Sequence, residues 1–213
     1  MSYSPRSTLP SSRPGLTTID LVGGGHLPPG FGIGRPPEEY QAAGLDFSCR
    51  GARMDEPLDA LEALRTEDLT QHKGAQLSIP LHHSPLRPAR KPRPPFYLGA
   101  LSERARARVA RRVAGWLPLC VPPNYVEIDG HIAKRSLLDR LAHKAGRAPQ
   151  GIDTVFRGNI DAGTGATQVA NTIRLVHQRK GIDHFAVDPM DAVETVDKAI
   201  DHARDVLDLM AQG

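Results

Sequence analysis

The residues best suited to chemistry stand together near the end of the chain, in the run Arg179-Lys180-Gly181-Ile182-Asp183-His184. A guanidinium is permanently charged and can grip a phosphodiester, or stabilise charge that develops on it. An imidazole near its ordinary pKa exchanges protons around neutral pH. These are the two services a metal-independent ribonuclease needs, with Arg179 contacting phosphate and His184 acting as acid and base. On an unbroken helix the two side chains would face different ways, but Gly181 lets the backbone turn so that both look into one cleft. The plainer alternative makes Arg179 a helix C-terminal cation facing the dipole and His184 a partly buried loop residue.

Holding such a pair calls for helices on either side, and the flanking sequence supplies the signals. Four helical segments are expected beyond residue 100, joined by short Gly/Pro-containing loops, which is the pattern of a small antiparallel bundle. The first runs from an N-cap at Ser102 to Leu117, with Val109, Val113 and Trp116 on one face and arginines on the other. The second covers Tyr125 to Ala145 and ends at Gly146. A Gly-rich loop from Gln150 to Gly165 leads to the third, Thr167 to Gln178. The fourth starts at Asp188 as N-cap with Pro189 in its first turn, and Val193, Val196, Ile200, Ala203, Leu207 and Met210 form a sustained apolar stripe. The fold class expected is therefore all-α, a four-helix domain over residues 101–213.

Upstream the punctuation is too dense for long elements. Residues 1–56 carry Gly23-Gly24-Gly25, Leu27-Pro28-Pro29-Gly30 and Arg35-Pro36-Pro37, and are expected to form a largely disordered Pro/Gly-rich arm. Leu58, Leu61 and Leu64 then mark a short amphipathic helix over 57–69, opened by Pro57. Residues 70–100 read as a basic, Pro-rich linker.

Positive charge is clustered although the net charge is only +3. Arg87, Arg90, Lys91 and Arg93 precede Arg104, Arg106, Arg108, Arg111 and Arg112, interrupted only by Glu103, and such a block attracts polyanions through counterion release. Arg104, Arg108, Arg111 and Arg112, with Lys180, are the candidate nucleic-acid contacts. Two distant cysteines, Cys49 and Cys120, show neither metal-ligand spacing nor a disulfide framework, which points to a reducing cytoplasm. No apolar run is long enough to span a membrane, and residues 1–15 lack the apolar core of a signal peptide.

The helix Val169 to Gln178, the Arg179-x4-His184 motif and the capped helix that follows resemble the HEPN superfamily, over residues 100–213. In that family an Arg-x4-6-His motif sits at the junction of the last two long helices of a helical bundle, and many members are metal-independent endoribonucleases, often toxins or defence proteins. The resemblance implies Arg179 and His184 as catalytic residues, Ile182 as the apolar pin of the turn, RNA as substrate, a homodimer that joins two motifs in one cleft, an antitoxin-like protein partner, and no cofactor. Where the family usually has Asn, Asp or His after the arginine, this chain has Lys180.

Other signals are weaker. Gly30-Phe31-Gly32-Ile33-Gly34 has phosphate-loop glycines, but Arg35-Pro36-Pro37 follows in place of a helix start. His72, His82 and His83 lie in a polar segment without a matching carboxylate or cysteine pattern, and His131 and His143 are too far apart to share a site. Gly-x-Ser-x-Gly, His-Glu-x-x-His and Walker motifs are absent. A second function class remains beside the nuclease: a non-enzymatic adaptor that binds nucleic acid or a partner protein through its arginine-rich helix.

Overall fold

The computed structural model describes residues 9–26, 28–34, 36–75, 77–83, 85–180, 184–189 and 191–212. The chain divides into two compact units, residues 1–98 and 99–213.

The first unit contains α1 (Leu9–Val22), β1 (Gly30–Phe31), α2 (Pro37–Ala42), α3 (Ala52–Thr66), β2 (Leu69–Lys73), β3 (Ser78–His83) and β4 (Tyr97–Leu98). The segment expected to be a disordered arm thus contributes helices and a strand. Its short apolar residues suffice because they converge: Leu16, Tyr40, Met54, Leu58, Leu61 and Leu64 are all buried, and burial rather than propensity decides whether such segments order. The helix expected to begin at Pro57 begins at Ala52 and carries Pro57 inside it. The linker is likewise structured. β2 and β3 form an antiparallel hairpin, Glu56 Oε1 accepts the Leu77 N–H at 2.7 Å, and the buried Asp20 Oδ2 accepts the Arg90 N–H at 3.3 Å. β1 and β4 pair in parallel, Gly30 with Tyr97 and Phe31 with Leu98, and the Phe31 and Phe96 rings meet edge to face at 5.3 Å.

The second unit contains α4 (Glu103–Arg112), β5 (Gly115–Trp116), β6 (Leu119–Cys120), α5 (Ile128–Lys144), β7 (Asp153–Asn159), α6 (Ala166–Lys180), β8 (His184–Asp188) and α7 (Val196–Ala211). β5 and β6 lie in turn along one edge of β7, and β8 lies along the other, all in parallel register. Helices alternate with parallel strands, so the class is α/β and the all-α bundle is ruled out. The expected first helix stops at Arg112 because the chain enters the sheet at Gly115. The loop expected from Gln150 to Gly165 contains β7, the central strand, and the expected helix cap at Asp188 is the last residue of β8. The terminal helix starts instead after Thr195, whose hydroxyl accepts the Lys198 N–H at 3.3 Å.

Side chains alternate across β7. Phe156 packs with Cys120 and Val176 under the helices, and its ring stacks on Phe185 at 6.2 Å between centroids. Gly158 on the same face is required by space, since a Cβ there would stand 2.5 Å from the Phe185 ring. Val155, Arg157 and Asn159 therefore occupy the opposite face, away from the helical layer.

Candidate functional site

The nuclease pair expected from sequence is not assembled at a helix–helix junction. His184 opens β8, at the amino-terminal end of the strand, where its Nδ1 stands 3.2 Å from Asp153 Oδ2 at the corresponding end of β7. Its side chain is 64% exposed. α6 leads into a strand, not into a helix, so the geometry that defined the proposed motif is missing. The side chains of Arg179 and Lys180, and all of Gly181, Ile182 and Asp183, lie outside the described residues. The basic helix is also not a uniform cationic face. Arg104 and Arg111 are exposed and Arg112 is half-buried, but Arg108 and Arg106 are buried. Arg106 Nη1 donates to Leu101 O at 2.8 Å and to Ala100 O at 3.4 Å, so its charge serves the loop before α4.

Polar groups concentrate instead at the carboxyl ends of the parallel strands. On the face of the sheet away from the helices, Arg157 Nη2 donates to Asp188 Oδ2 at 2.7 Å, linking β7 to β8. Beside this pair, the Asn159 Oδ1 is buried and accepts no hydrogen bond among the described residues. A buried carbonyl oxygen left in that state costs about 1–3 kcal/mol, a cost that a ligand donor would remove. The loops that leave these ends are polar and tightly turned. After β6, Tyr125 and Val121 exchange backbone hydrogen bonds at 2.7 and 2.8 Å, and the Glu127 carboxylate holds the Tyr125 phenol above its ordinary pKa. After β7, Asn124 Nδ2 reaches Asp161 at 3.4 Å, Gly163 turns at φ +81°, and the buried Thr164 hydroxyl donates to Pro122 O at 3.5 Å.

A third loop, Gly99 to Ser102, connects β4 to α4. The Ser102 hydroxyl accepts the Ala105 N–H at 3.2 Å, and the first-turn amides of Glu103 and Arg104 have no intrahelical carbonyl to meet. Its two preceding carbonyls are drawn to Arg106, and Glu103 places a carboxylate in the first turn of α4. The neighbouring helix end is closed differently: Arg147 Nη1 donates to Ala110 O at 2.9 Å and Val109 O at 3.2 Å.

The sequence model of the luciferase-like monooxygenases matches residues 15–203. The chain belongs to the luciferase-like monooxygenase family. That placement replaces the HEPN resemblance and, with it, the endoribonuclease and toxin reading. Among curated relatives, an uncharacterised protein of Mycobacterium tuberculosis is 32% identical over 120 residues, covering 55% of this chain and 39% of the relative. The chain thus spans about two-fifths of the length of the curated relatives it matches. Two solved structures share the fold. Monooxygenase RslO1 from Streptomyces bottropensis superposes with a TM-score of 0.73 at 15% identity, over 97% of this chain and 74% of that one. An F420-dependent secondary alcohol dehydrogenase, solved with an F420-acetone adduct, superposes with a TM-score of 0.71 at 12% identity, over 96% and 76% of the respective chains. In luciferase-like TIM-barrel folds, as in other barrels of parallel strands, sites form at the carboxyl ends and the amino-terminal ends serve stability. Arg157, Asn159 and Asp188 stand at the carboxyl ends of β7 and β8, and the His184–Asp153 pair at their amino-terminal ends.

Sequence reasoning missed Arg157, Asn159 and the Gly99–Ser102 loop. A signal existed for the loop: Tyr97-Leu98-Gly99 followed by a good N-cap is a strand-to-helix turn.

Proposed function

We propose that the protein is an oxidoreductase that uses a phosphate-bearing flavin-type cofactor, FMN or F420, at the carboxyl ends of its parallel strands. The match to luciferase-like monooxygenases over residues 15–203 carries this reading, and the likeness in fold to an F420-dependent secondary alcohol dehydrogenase supports it. The residues present fit such a group in two respects. The start of α4 offers amides and a helix dipole to a phosphate, braced by Arg106. Asn159 Oδ1 offers an unmet acceptor to a ring or side-chain donor. Bound there, the cofactor would supply two-electron, hydride-type redox chemistry. The protein's own part is to orient it, to fix its phosphate and to shape the substrate side with Arg157 and Asp188. Among the described residues no helix is long and apolar enough to cross a membrane, and we assign the enzyme to the cytoplasm, where Cys49 and Cys120 stay as the free thiols they are here.

Fluorescence titration with FMN, F420 and riboflavin tests the proposal. Saturable binding of FMN or F420 is expected, with riboflavin, which lacks the phosphate, weaker by about tenfold or more, a difference of about 1.4 kcal/mol. No saturable binding of either phosphate-bearing compound up to ~1 mM would refute it.

A further inference from the structure

The sheet face turned away from the helices ends in a group whose hydrogen bonds do not balance. Phe156 and Phe185 stack on the helical side, so by alternation Asn159 and Asp188 project from the other. They are register partners at the carboxyl ends of β7 and β8, and residues directly opposite on one face bring their Cβ atoms to about 4.5–5.5 Å. An ionised carboxylate only accepts hydrogen bonds, and Asp188 Oδ2 takes one from Arg157 Nη2 at 2.7 Å. That contact matches the Arg157 charge. The buried Asn159 Oδ1 meets no donor among the described residues. A group that completes this corner must bring N–H or O–H bonds to neighbouring oxygens.

Charge narrows the choice. The loops that leave the carboxyl ends of β6, β7 and β8, residues 121–127, 160–165 and 189–195, carry Glu127, Asp161, Asp191 and Glu194 and no lysine or arginine. Lys134 offsets Glu127 at 3.5 Å and Lys198 offsets Glu194 at 3.3 Å. Asp161, which the neutral Asn124 amide meets at 3.4 Å, and Asp191 hold the surplus. An excess of one sign draws the opposite charge and repels its own.

We infer that Asn159 and Asp188 select the substrate, and that the group they take is a protonated amine. The inference rests on the oxidoreductase reading only in calling that ligand a substrate. An ammonium carries three donors and no acceptor, so it can serve Asn159 Oδ1 and the Asp188 carboxylate together while its charge offsets the acidic loops. A hydroxyl brings a single donor and no charge. A carboxylate brings no donor and is repelled. The cofactor phosphate is assigned to a different loop, Gly99 to Ser102, so the two ligands make opposite demands at separate places.

A nitrogen-labelled NMR titration of the full chain without cofactor reads the outcome at the Asn159 side-chain amide, whose signal is identified by its loss in Asn159→Leu. The probes are cyclohexylamine, cyclohexanol and cyclohexanecarboxylate at neutral pH, alike in shape and different in charge. Saturable shifts are expected with the amine up to ~50 mM, binding at least about tenfold weaker with the alcohol, and no saturable shift with the carboxylate. Asp188→Asn should weaken amine binding about fivefold or more. Should that variant lose its fold with the Arg157 contact, the three probes on the wild type still decide. Asn159→Leu should also raise the melting temperature of the ligand-free chain by about 2 °C or more, because it removes an unmet buried acceptor. A residue kept for the fold would move it the other way. Equal binding of alcohol and amine, saturable binding of the carboxylate, silence with the amine, or a melting temperature that does not rise in Asn159→Leu would each overturn the proposal. Failure of FMN and F420 to bind would count against the cofactor alone, since this titration uses neither.

Discussion

Cys49 and Cys120 show how strongly environment separates two copies of one side chain. Burial pushes the Cys120 thiol up to about 12, whereas Cys49 is exposed, and only the thiolate reacts. One thiol per chain should therefore titrate rapidly with a disulfide reagent at pH 8 in the native protein, and both in denaturant. Two fast thiols in the native state would contradict the burial. His131 is a second case. Its ring sits between Trp116 and Phe156, at 6.2 and 4.9 Å, and burial, the largest influence, holds its pKa below the ordinary 6.5. The unfolded chain takes up this proton as pH falls through about 6.5 while the fold resists it. Stability from this group is thus present above that pH and lost below it. His131→Phe should narrow the drop in melting temperature between pH 7 and pH 5, and an equal drop in both proteins would sink the argument. For Arg106, replacement by Met should weaken FMN or F420 binding more than riboflavin binding, since the loop carbonyls it holds lie in the turn we propose for the phosphate. An unchanged ratio would show that the turn does not depend on it.

At the scale of elements, the tightest constraint is the seat of Phe185 over Gly158. Gly158→Ala places a methyl group 2.5 Å from that ring and is expected to cost about 1–3 kcal/mol by overpacking, measured by urea denaturation. A neutral result would mean that β8 shifts freely. Ser102→Ala removes an N-cap and should cost about 1 kcal/mol. The helices were the legible part of the sequence: the cores of α4, α5, α6 and α7 all fall inside segments whose apolar residues recur at helical spacing. The strands were not. β5 and β6 are two residues each, interrupted by Pro118, too short to show a period. β7 mixes Val155 and Phe156 with Arg157, Gly158 and Asn159, because one face meets helices and the other carries polar groups, so it reads as loop. β8 resembles a helix-junction turn and a cap in sequence because Asp188-Pro189 imitates a helix start.

Across the whole molecule, the misread strands changed the fold class, and the function followed. Four helices in a row form a bundle only if nothing lies between them; strands of two to seven residues there turn the same helices into the outer layer of a parallel sheet. The candidate site was correspondingly illegible, since Arg157, Asn159 and Asp188 are unremarkable until β7 and β8 are aligned and their carboxyl ends coincide. Bound cofactor should also register globally. At a hundred times its dissociation constant a ligand that binds only the fold adds about 2.7 kcal/mol, so FMN or F420 should raise the melting temperature by several degrees while riboflavin at equal concentration raises it less. Equal shifts would remove the phosphate from the recognition.

Trp116 is the sole indole in the chain. It is 2% exposed, in β5 beside His131, and residues 1–98 have none. Its emission is consequently a private optical channel onto residues 99–213. A blue-shifted band that moves red on denaturation would time the opening of that sheet separately, and quenching at mildly acidic pH would report when the adjacent imidazole becomes a cation.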